Sequence, residues 1–216
     1  MTEIIARILG EHSISDVREA FTLQHPERPY TSTSSVTVKG DQIQIAGIFW
    51  SDRLQIGHFH RTLRFQKGSS CAFHDMIEIE PEHRDQDIAR HHYTKVLRFY
   101  DLSPIRLVRL DAEGDGPWIW PQFGFDLVSK KDKERLVALG NAQEVNLGSA
   151  DDLYAADVAT TDKGTGSALG TTLLRALSKP NGRLQMILRL DDPSHRAFLT
   201  ARGILTKPTT HGAQNT

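Results

Sequence analysis

The sequence MIEIEP at residues 76–81, followed by EHRDQDIA at residues 82–89, decides how this chain folds. Its first half alternates apolar and acidic side chains, which is the two-residue period of a half-buried β-strand. Pro81 lacks the backbone N–H that a sheet ladder needs, so the strand ends there. Residues 86–101 then carry apolar side chains at helical spacing. The sequence therefore predicts a strand, a charged loop and a helix in this order.

The segments on either side extend this unit into a sheet. Residues 105–111 alternate apolar and charged side chains and predict a further strand. A strand, a helix and a second strand form a crossover, so 71–80 and 105–111 should run parallel. Upstream, short strands follow one another with tight turns between them, which predicts an antiparallel meander. Those strands span 36–38, 43–50, 54–65 and 71–80.

The pairing of strand 54–65 with strand 71–80 can be predicted from a turn centred on Gly68. One face then becomes mostly apolar, as cross-strand pairing favours. That face pairs Phe59 with Ile77, Arg61 with Asp75, and Leu63 with Phe73. The other face pairs His58 with Glu78, His60 with Met76, and Thr62 with His74.

The remaining segments complete a single α/β domain over residues 1–205. Its central sheet is mixed, mostly antiparallel and flanked by helices. Ser15 is the expected N-cap of the second of two helices in 2–24. Residues 1–35 are N-terminal helices and a connector (25–35), 141–180 are a candidate insertion, and 206–216 are a disordered tail. Further helices are expected at 130–140, 166–178 and 195–202, and a strand at 184–190.

Composition narrows the function classes. Lys and Arg number 26 and Asp and Glu 27, a net charge of −1, and this balance argues against a nucleic-acid partner. The single Cys71 excludes an intrachain disulfide. No apolar run approaches the ~18 residues of a membrane helix, and residues 1–10 lack the order of a signal peptide. We expect a cytoplasmic protein without a membrane partner, and a homodimer is compatible with the sequence.

Segment 76–125 resembles the GNAT acyltransferase superfamily. Met76–Pro81 matches the strand that ends near a proline, and Arg84–Ala89 matches the pyrophosphate loop Gln/Arg-x-x-Gly-x-Gly/Ala at a helix start. Ile105–Asp111 matches the following parallel strand, and Trp120–Phe125 matches the short helix that ends in Gly-Phe. The resemblance implies a GNAT-like fold. It also implies transfer of an acyl group from acetyl-CoA or another acyl-CoA to an amine, on a small molecule or a peptide.

The resemblance places the cofactor at the loop and the adjoining strand. Backbone N–H groups at a helix N-terminus bind pyrophosphate, and N–H groups of strand 76–80 would face the thioester carbonyl. Asp87 stands where the first glycine of the motif is expected, so it adds a negative charge next to the phosphates. Arg90, His91 and His92 supply positive charge nearby. The predicted cofactor-binding residues are Ile79, Arg84, Gln86, Asp87, Ile88 and Ala89.

Glu78 and Glu80 lie on the strand where many members of the superfamily keep a general base, and His58 is predicted opposite Glu78. Such a carboxylate would take a proton from the acceptor amine; the alternative is an ordinary cross-strand pair. The superfamily often has a tyrosine where this chain has Trp120, whose indole cannot transfer a proton. Trp118, Trp120 and Phe123 are predicted to line the substrate pocket, and the alternative is that they pack in the core.

Two other functions stay open. With Asp87 and Trp120 in these positions, the chain could be a catalytically degenerate binding or scaffolding module, or could use a donor bound to a carrier protein. The His58-x-His60 pair with His74 could instead form a metal site, although the sequence offers no further ligand spacing. The prediction from the resemblance is acyl transfer without a metal.

Overall fold

A seven-stranded sheet forms the centre of the molecule. The computed structural model describes residues 2–25, 27–160, 169–178 and 183–206. Its strands are β1 Tyr30–Lys39, β2 Gln42–Ser51, β3 Leu54–Gln66, β4 Ser69–Ile79, β5 Ile105–Glu113, β6 Asp126–Leu127 and β7 Arg183–Arg189. They lie side by side in the order β1-β2-β3-β4-β5-β7-β6.

Eight α-helices surround the sheet within the described residues. They are α1 Thr2–Leu9, α2 Ile14–Phe21, α3 Ile88–Leu102, α4 Gly116–Ile119, α5 Lys130–Asn141, α6 Ala155–Val158, α7 Leu169–Leu177 and α8 Pro193–Ala201. Two 3-10 helices, Pro81–Gln86 and Trp120–Phe123, precede α3 and follow α4. None of the helices in the described ranges is both long and apolar enough to span a bilayer.

The strand directions confirm the predicted topology. β1 to β4 form an antiparallel meander, and β4 pairs with β5 in parallel through the α3 crossover. β7 then inserts antiparallel between β5 and β6. The mixed, mostly antiparallel α/β sheet is therefore confirmed, and so is the position of two helices ahead of the first strand.

The N-terminal third departs from the prediction in two places. Residues 25–35 are not wholly a connector, because β1 begins at Tyr30 and pairs with β2 along its full length. Pro26 and Pro29 and the following Ser/Thr run suggested a loop, but hydroxyl side chains suit an edge strand that faces water on one side. The N-cap of α2 is Ser13 rather than Ser15, since Ser13 and Asp16 form a reciprocal capping box.

The core lies between the sheet and the helices α1, α2, α3 and α8. α1 contacts β3 and β4, α2 contacts β1 and α3, and α3 contacts β5. Arg196 of α8 pairs with Asp101 of α3, which places these two helices side by side. The largest apolar and aromatic side chains buried in this layer are Phe21, Phe49, Phe59, Tyr93, Tyr100 and Phe125.

The C-terminal segments agree with the prediction in part. Residues 142–160, within the candidate insertion, form an irregular segment with one helical turn, α6. The two-residue strand β6 was not predicted, because two residues carry no detectable period. The predicted helix 166–178 is described only from Leu169, and the tail predicted at 206–216 lies beyond the described residues from position 207 onward.

At Gly57 the backbone of β3 lies so close to the backbone of β4 that there is no room for a side chain. A Cβ at this position would lie 2.2 Å from the Glu78 carbonyl oxygen, which is backbone and cannot rotate away. We expect Gly57→Ala to lower the free energy of unfolding by about 3 kcal/mol in urea titrations, the upper range for forced overpacking. Gly68→Ala, at a positive φ but with open space around it, should cost only about 1 kcal/mol. Equal losses in both variants would contradict the close approach.

Candidate functional site

One extra residue in β4 changes the pairing of β3 with β4 halfway along. Beyond His60 the register shifts, so that Arg61 lies opposite His74 and Asp75 is left without a facing residue. This is a β-bulge, which re-aims the side chains that follow it. Three predicted pairs are confirmed on one side of the bulge: His58 with Glu78, Phe59 with Ile77, and His60 with Met76.

On the other side of the bulge the predicted register is wrong by one residue. Strict alternation assumes one residue of β4 for each residue of β3, and the bulge adds one. Asp75 therefore does not face Arg61, and His74 does not share a face with His60. The predicted pairs that do not form are Arg61 with Asp75, Thr62 with His74, and Leu63 with Phe73.

The bulge turns Asp75 onto the open, polar face of the sheet. Its Oδ2 accepts a hydrogen bond from Thr62 Oγ1 at 2.8 Å and lies 3.0 Å from His60 Nδ1. Both contacts use the same oxygen, and the described residues offer Oδ1 no hydrogen bond. Sequence reasoning missed this His–Asp pair. The adjacent polar residues His74 and Asp75 break the alternation of β4 and were the signal for it.

Beyond the bulge the sheet splits into two parts. β4 pairs with β5 only from Ser70 to His74, although β4 continues to Ile79 and β5 continues to Glu113. β5 stays paired with β7 over this stretch, while β4 stays paired with β3. A groove of about 810 Å³ opens between them. The residues that line it include Phe73, Asp75, Ile77, Glu78, Arg109 and Trp120.

Of the predicted catalytic residues, Glu78 lies in the groove and Glu80 does not. Glu78 Oε2 is 3.7 Å from His58 Nε2, so the predicted pair forms a long contact. Its side chain is 61% exposed, which leaves it accessible to a substrate. Glu80 is exposed past the end of β4, and its backbone N–H donates to Ile56 O. The structure therefore brings Glu78 and His58 together at the groove wall.

The predicted pyrophosphate loop becomes a 3-10 helix followed by the first turn of α3. Asp87 sits between them with φ 58° and ψ 13°, the left-handed region where glycine is favoured. Asp is one of the few other residues that adopt this region readily. The chain thus keeps the backbone turn of a glycine at position 87, and adds an exposed carboxylate at the N-terminus of a 15-residue helix.

Arg84, the predicted phosphate ligand, already has partners within the protein. Its Nε donates to Ile79 O at 2.9 Å, and its Nη1 lies 3.5 Å from Asp115 Oδ2. It therefore bridges the end of β4 and the loop after β5. Gln86 O accepts from Arg28 Nη1 at 3.0 Å.

The remaining predicted cofactor residues, Ile79, Ile88 and Ala89, contribute mainly packing. Ile79 is 8% and Ile88 1% exposed, while Ala89 is half-buried against the core. Only their backbone groups could therefore reach a ligand, which is how a helix N-terminus binds anions.

The three predicted substrate residues lie in different surroundings. Trp120 lines the groove and packs 5.5 Å, centroid to centroid, from Tyr93. Phe123 packs 5.0 Å from the same ring, which makes it part of the aromatic core. Trp118 stacks instead under the Arg175 guanidinium of α7 at 4.3 Å. Among the described residues only Trp120 of these three reaches the groove.

A buried polar cluster lies directly behind the bulge, on the helix side of the sheet. Arg61 is 1% exposed, and its Nη1 donates to His60 O and to Met76 O. Its Nε and Nη2 have no hydrogen-bond partner. Burial lowers the pKa of Arg61 to about 10, so the guanidinium remains protonated at neutral pH. Sequence reasoning expected an ion pair with Asp75 here, and the bulge removes it.

The other members of the cluster are neutral. Burial, reinforced by the Arg61 charge, holds the pKa of His74 and of His92 well below the usual range for histidine. His74 Nε2 lies 3.1 Å from Tyr100 Oη, and burial raises the pKa of that tyrosine. Because His74 is buried on the helix side, it cannot join His58 and His60 in a metal site. The described residues contain no group of three or more His, Cys, Asp or Glu side chains placed to bind a metal.

No protein-family model matches this sequence, and no curated protein matches it. Among solved structures, nourseothricin acetyltransferase aligns over 83% of this chain and 95% of its own, with 13% identity and a TM-score of 0.38. Naa50 of Arabidopsis thaliana, bound to the bisubstrate analogue CoA-Ac-MVNAL, aligns over 39% of this chain and 58% of its own (13% identity, TM-score 0.35).

N-acetylglutamate synthase of Neisseria gonorrhoeae aligns over 89% of this chain and 33% of its own, with 13% identity and a TM-score of 0.36. This chain thus spans a third of the synthase and less than two thirds of Naa50. The antiparallel β1–β4 meander and the parallel β4–α3–β5 crossover, which were expected from the sequence, are both present in the structure.

The buried histidines should make stability depend on pH. An unfolded histidine takes up a proton near pH 6.5, whereas folded His74 and His92 stay neutral to much lower pH. Their contribution to stability is therefore complete above pH 6.5 and is lost as the pH falls below it. Each should lower the free energy of unfolding by about 1.4 kcal/mol per pH unit in that range.

Urea unfolding at several pH values between 7 and 5 measures this slope. His92→Phe should reduce the slope by the share of one histidine, because it removes one titrating group from the core. Phe21→Leu is the matched control, since it should lower stability at every pH without changing the slope. A wild-type slope in His92→Phe would show that His92 is protonated in the folded protein.

Proposed function

We propose that this chain transfers an acyl group from an acyl-CoA, such as acetyl-CoA, to an amine acceptor in the groove where the sheet splits. The observation that supports this most strongly is the free edge of β4. Past His74 no described strand pairs with that edge, while the groove runs alongside it. A free strand edge presents backbone N–H groups at fixed positions, which is the requirement for stabilising an oxyanion.

The backbone directions along β4 support one N–H group as the donor. Glu80 N–H donates to Ile56 of β3, and the Ile79 carbonyl points to the other side, where Arg84 binds it. Successive residues of a strand point their polar backbone groups to alternate edges. Ile77 N–H therefore points away from β3, into the groove. In our proposal it donates to the thioester carbonyl oxygen as negative charge develops there.

The N-terminus of α3 would receive the pyrophosphate of the donor. Its first backbone N–H groups lack intrahelical partners, and the helix dipole favours an anion. The left-handed backbone at Asp87 supports this role, because it gives the turn that the glycine of the motif provides. The carboxylate of Asp87 opposes it. We therefore expect binding that is weaker than a glycine at this position would allow.

Two carboxylates in the groove favour an amine as the acceptor. Asp75 and Glu78 both line it, and they lie on either side of the Met76–Ile77 pair in β4. A protonated amine would bind between them and lose its proton to one of them. That base passes the proton on to water, and the neutral amine attacks the thioester carbon. The nitrogen of the tetrahedral intermediate then gives its second proton to the same carboxylate, which is free again, and the C–S bond breaks as the CoA thiolate leaves. Asp75 is the better oriented base, because His60 and Thr62 both hold its Oδ2 and leave Oδ1 free.

In our proposal the CoA thiolate leaves without receiving a proton from a side chain of the aromatic segment 118–125. Trp120 lines the groove where the superfamily often has a tyrosine, and its indole N–H cannot be transferred. A thiol has an ordinary pKa of about 8.5, so the thiolate can leave as the anion and take a proton from water. The alternative is a donor carried on a protein, or a module that binds without catalysis. The carboxylate at Asp87 is the observation that favours either of them.

Calorimetric titration of acetyl-CoA and of free CoA tests the proposal. We expect both to bind the wild-type protein. Asp87→Gly should bind about tenfold more tightly, because it removes a negative charge beside the pyrophosphate and relieves the left-handed strain. Arg90→Glu should bind more weakly while folding normally, since Arg90 is exposed and an acidic side chain suits the first turn of a helix.

Asp87→Asn separates the two causes, because it removes the charge and keeps the side chain. If neither acetyl-CoA nor CoA binds to the wild type or to Asp87→Gly, the proposed donor is wrong, and a carrier-bound donor or a non-catalytic role replaces it.

The assignment of the base has its own test. Once an amine acceptor is found by following thiol release from acetyl-CoA, Asp75→Asn should lower kcat by about a hundredfold or more, the usual contribution of a general base. Glu78→Gln should mainly raise KM, because Glu78 holds the protonated amine. The reverse pattern would assign the base to Glu78 and its neighbour His58.

A further inference from the structure

We propose that the buried Arg61 is a positioning residue for acyl transfer, which polarises the peptide bond whose N–H faces the thioester oxygen. This inference rests on the proposed function and adds a residue to it. The guanidinium touches neither donor nor acceptor. It acts through the peptide between Met76 and Ile77, at the point where β4 leaves β5.

The geometry follows from one hydrogen bond and the planarity of the peptide. Arg61 Nη1 donates to the carbonyl oxygen of Met76 from the β3 side. A trans peptide holds its C=O and N–H on opposite sides, so the N–H of Ile77 points away from β3 and into the groove. A cation at the carbonyl draws electron density from the peptide nitrogen. Ile77 N–H thus becomes a stronger donor than an ordinary backbone amide.

The charge of Arg61 has no ion-pair partner among the described residues. No carboxylate there lies within 4 Å of its guanidinium, the Asp75 carboxylate acts on it only at longer range, and the histidines and tyrosines around it are neutral. The cation therefore projects a positive field through the peptide toward the position where negative charge develops in the transition state. Preorganised fields of this kind, in a site shielded from water, are a major source of rate enhancement.

A purely structural role accounts poorly for these contacts. The hydrogen bonds to the carbonyls of His60 and Met76 require only a donor, which a neutral amide or a water could supply. Arg61 instead leaves Nε and Nη2 without partners in the core. A buried, unpaired charge costs stability that a neutral group would not. Its position behind the peptide between Met76 and Ile77 supplies a functional reason for that loss of stability.

The test is the carbonyl stretching band of acetyl-CoA, labelled with ¹³C at the thioester carbonyl and bound to the protein. Hydrogen bonding lowers the frequency of this band, so it reports the strength of the Ile77 donor directly. We expect the bound band to shift toward the free frequency in Arg61→Met, and to stay near the wild-type value in Arg61→Lys, which keeps the charge. With an amine acceptor, Arg61→Met should lower kcat by roughly ten- to a hundredfold, with KM for acetyl-CoA unchanged.

Arg64→Met is the matched control. Arg64 is three register positions beyond Arg61 toward the other end of β3, where its guanidinium lies over the Phe73 ring at 5.4 Å. Loss of its charge should leave the carbonyl band of bound acetyl-CoA in place. A similar shift in Arg64→Met and Arg61→Met would overturn the inference, because it would show a general effect of packing.

A second measurement uses the wild-type protein and is needed if Arg61→Met does not fold. Titration with acetyl-CoA should move the amide proton resonance of Ile77 downfield, and free CoA should not. An unmoved Ile77 resonance in the acetyl-CoA complex overturns the inference. A carbonyl band of bound acetyl-CoA that is the same in wild type and in folded Arg61→Met also overturns it. Failure of acetyl-CoA to bind the wild type overturns the proposed function itself, and this inference with it.

Discussion

The site depends on one extra residue in β4 and on the guanidinium that lies behind it. A bulge leaves backbone carbonyls without ladder partners, and in a buried sheet such groups must find donors. Nη1 of Arg61 donates to two carbonyls at the bulge, those of His60 and Met76. The bulge turns Asp75 toward the open face of the sheet, and the Arg61 guanidinium lies behind it in the core. The polar groove wall and the buried cation are thus two results of a single insertion.

The bulge also explains why the sheet can split without losing its core. β4 stays bound to β3 past the bulge, and β5 stays bound to β7, so each half keeps its own hydrogen-bond ladder. The two halves share only the pairs from Ser70 to His74. The open space therefore costs one ladder of backbone hydrogen bonds along a short stretch. The backbone groups left free on β4 are those that the proposed reaction uses.

Much of the fold could be predicted from the sequence because the alternation in β2, β3 and β4 is strong and Pro81 marks the end of β4. The loop was also predictable, since the motif placed a glycine-type position at Asp87 and its backbone has that conformation. The bulge was harder to predict, because its only signal is the pair of adjacent polar residues His74 and Asp75, and one inserted residue leaves the patterns on both sides intact. The sequence predicted only residues 36–38 of β1, because the residues before them are small and hydroxylated. Pairing with β2, rather than their own conformational preference, keeps these residues extended. The His60–Asp75 pair followed the bulge and was missed with it.

The short parallel seam between β4 and β5 has a consequence for how the chain reaches this structure. β1 to β4 are joined by tight turns, so their pairings close small loops. The seam joins residues some 35 positions apart, with all of α3 between them, and nonlocal pairings of this kind form slowly. We expect the meander to form early and the seam to close late. The groove forms only when the β1–β4 part of the sheet pairs with the part that contains β5 and β7. The site is therefore among the last parts of the molecule to form during folding.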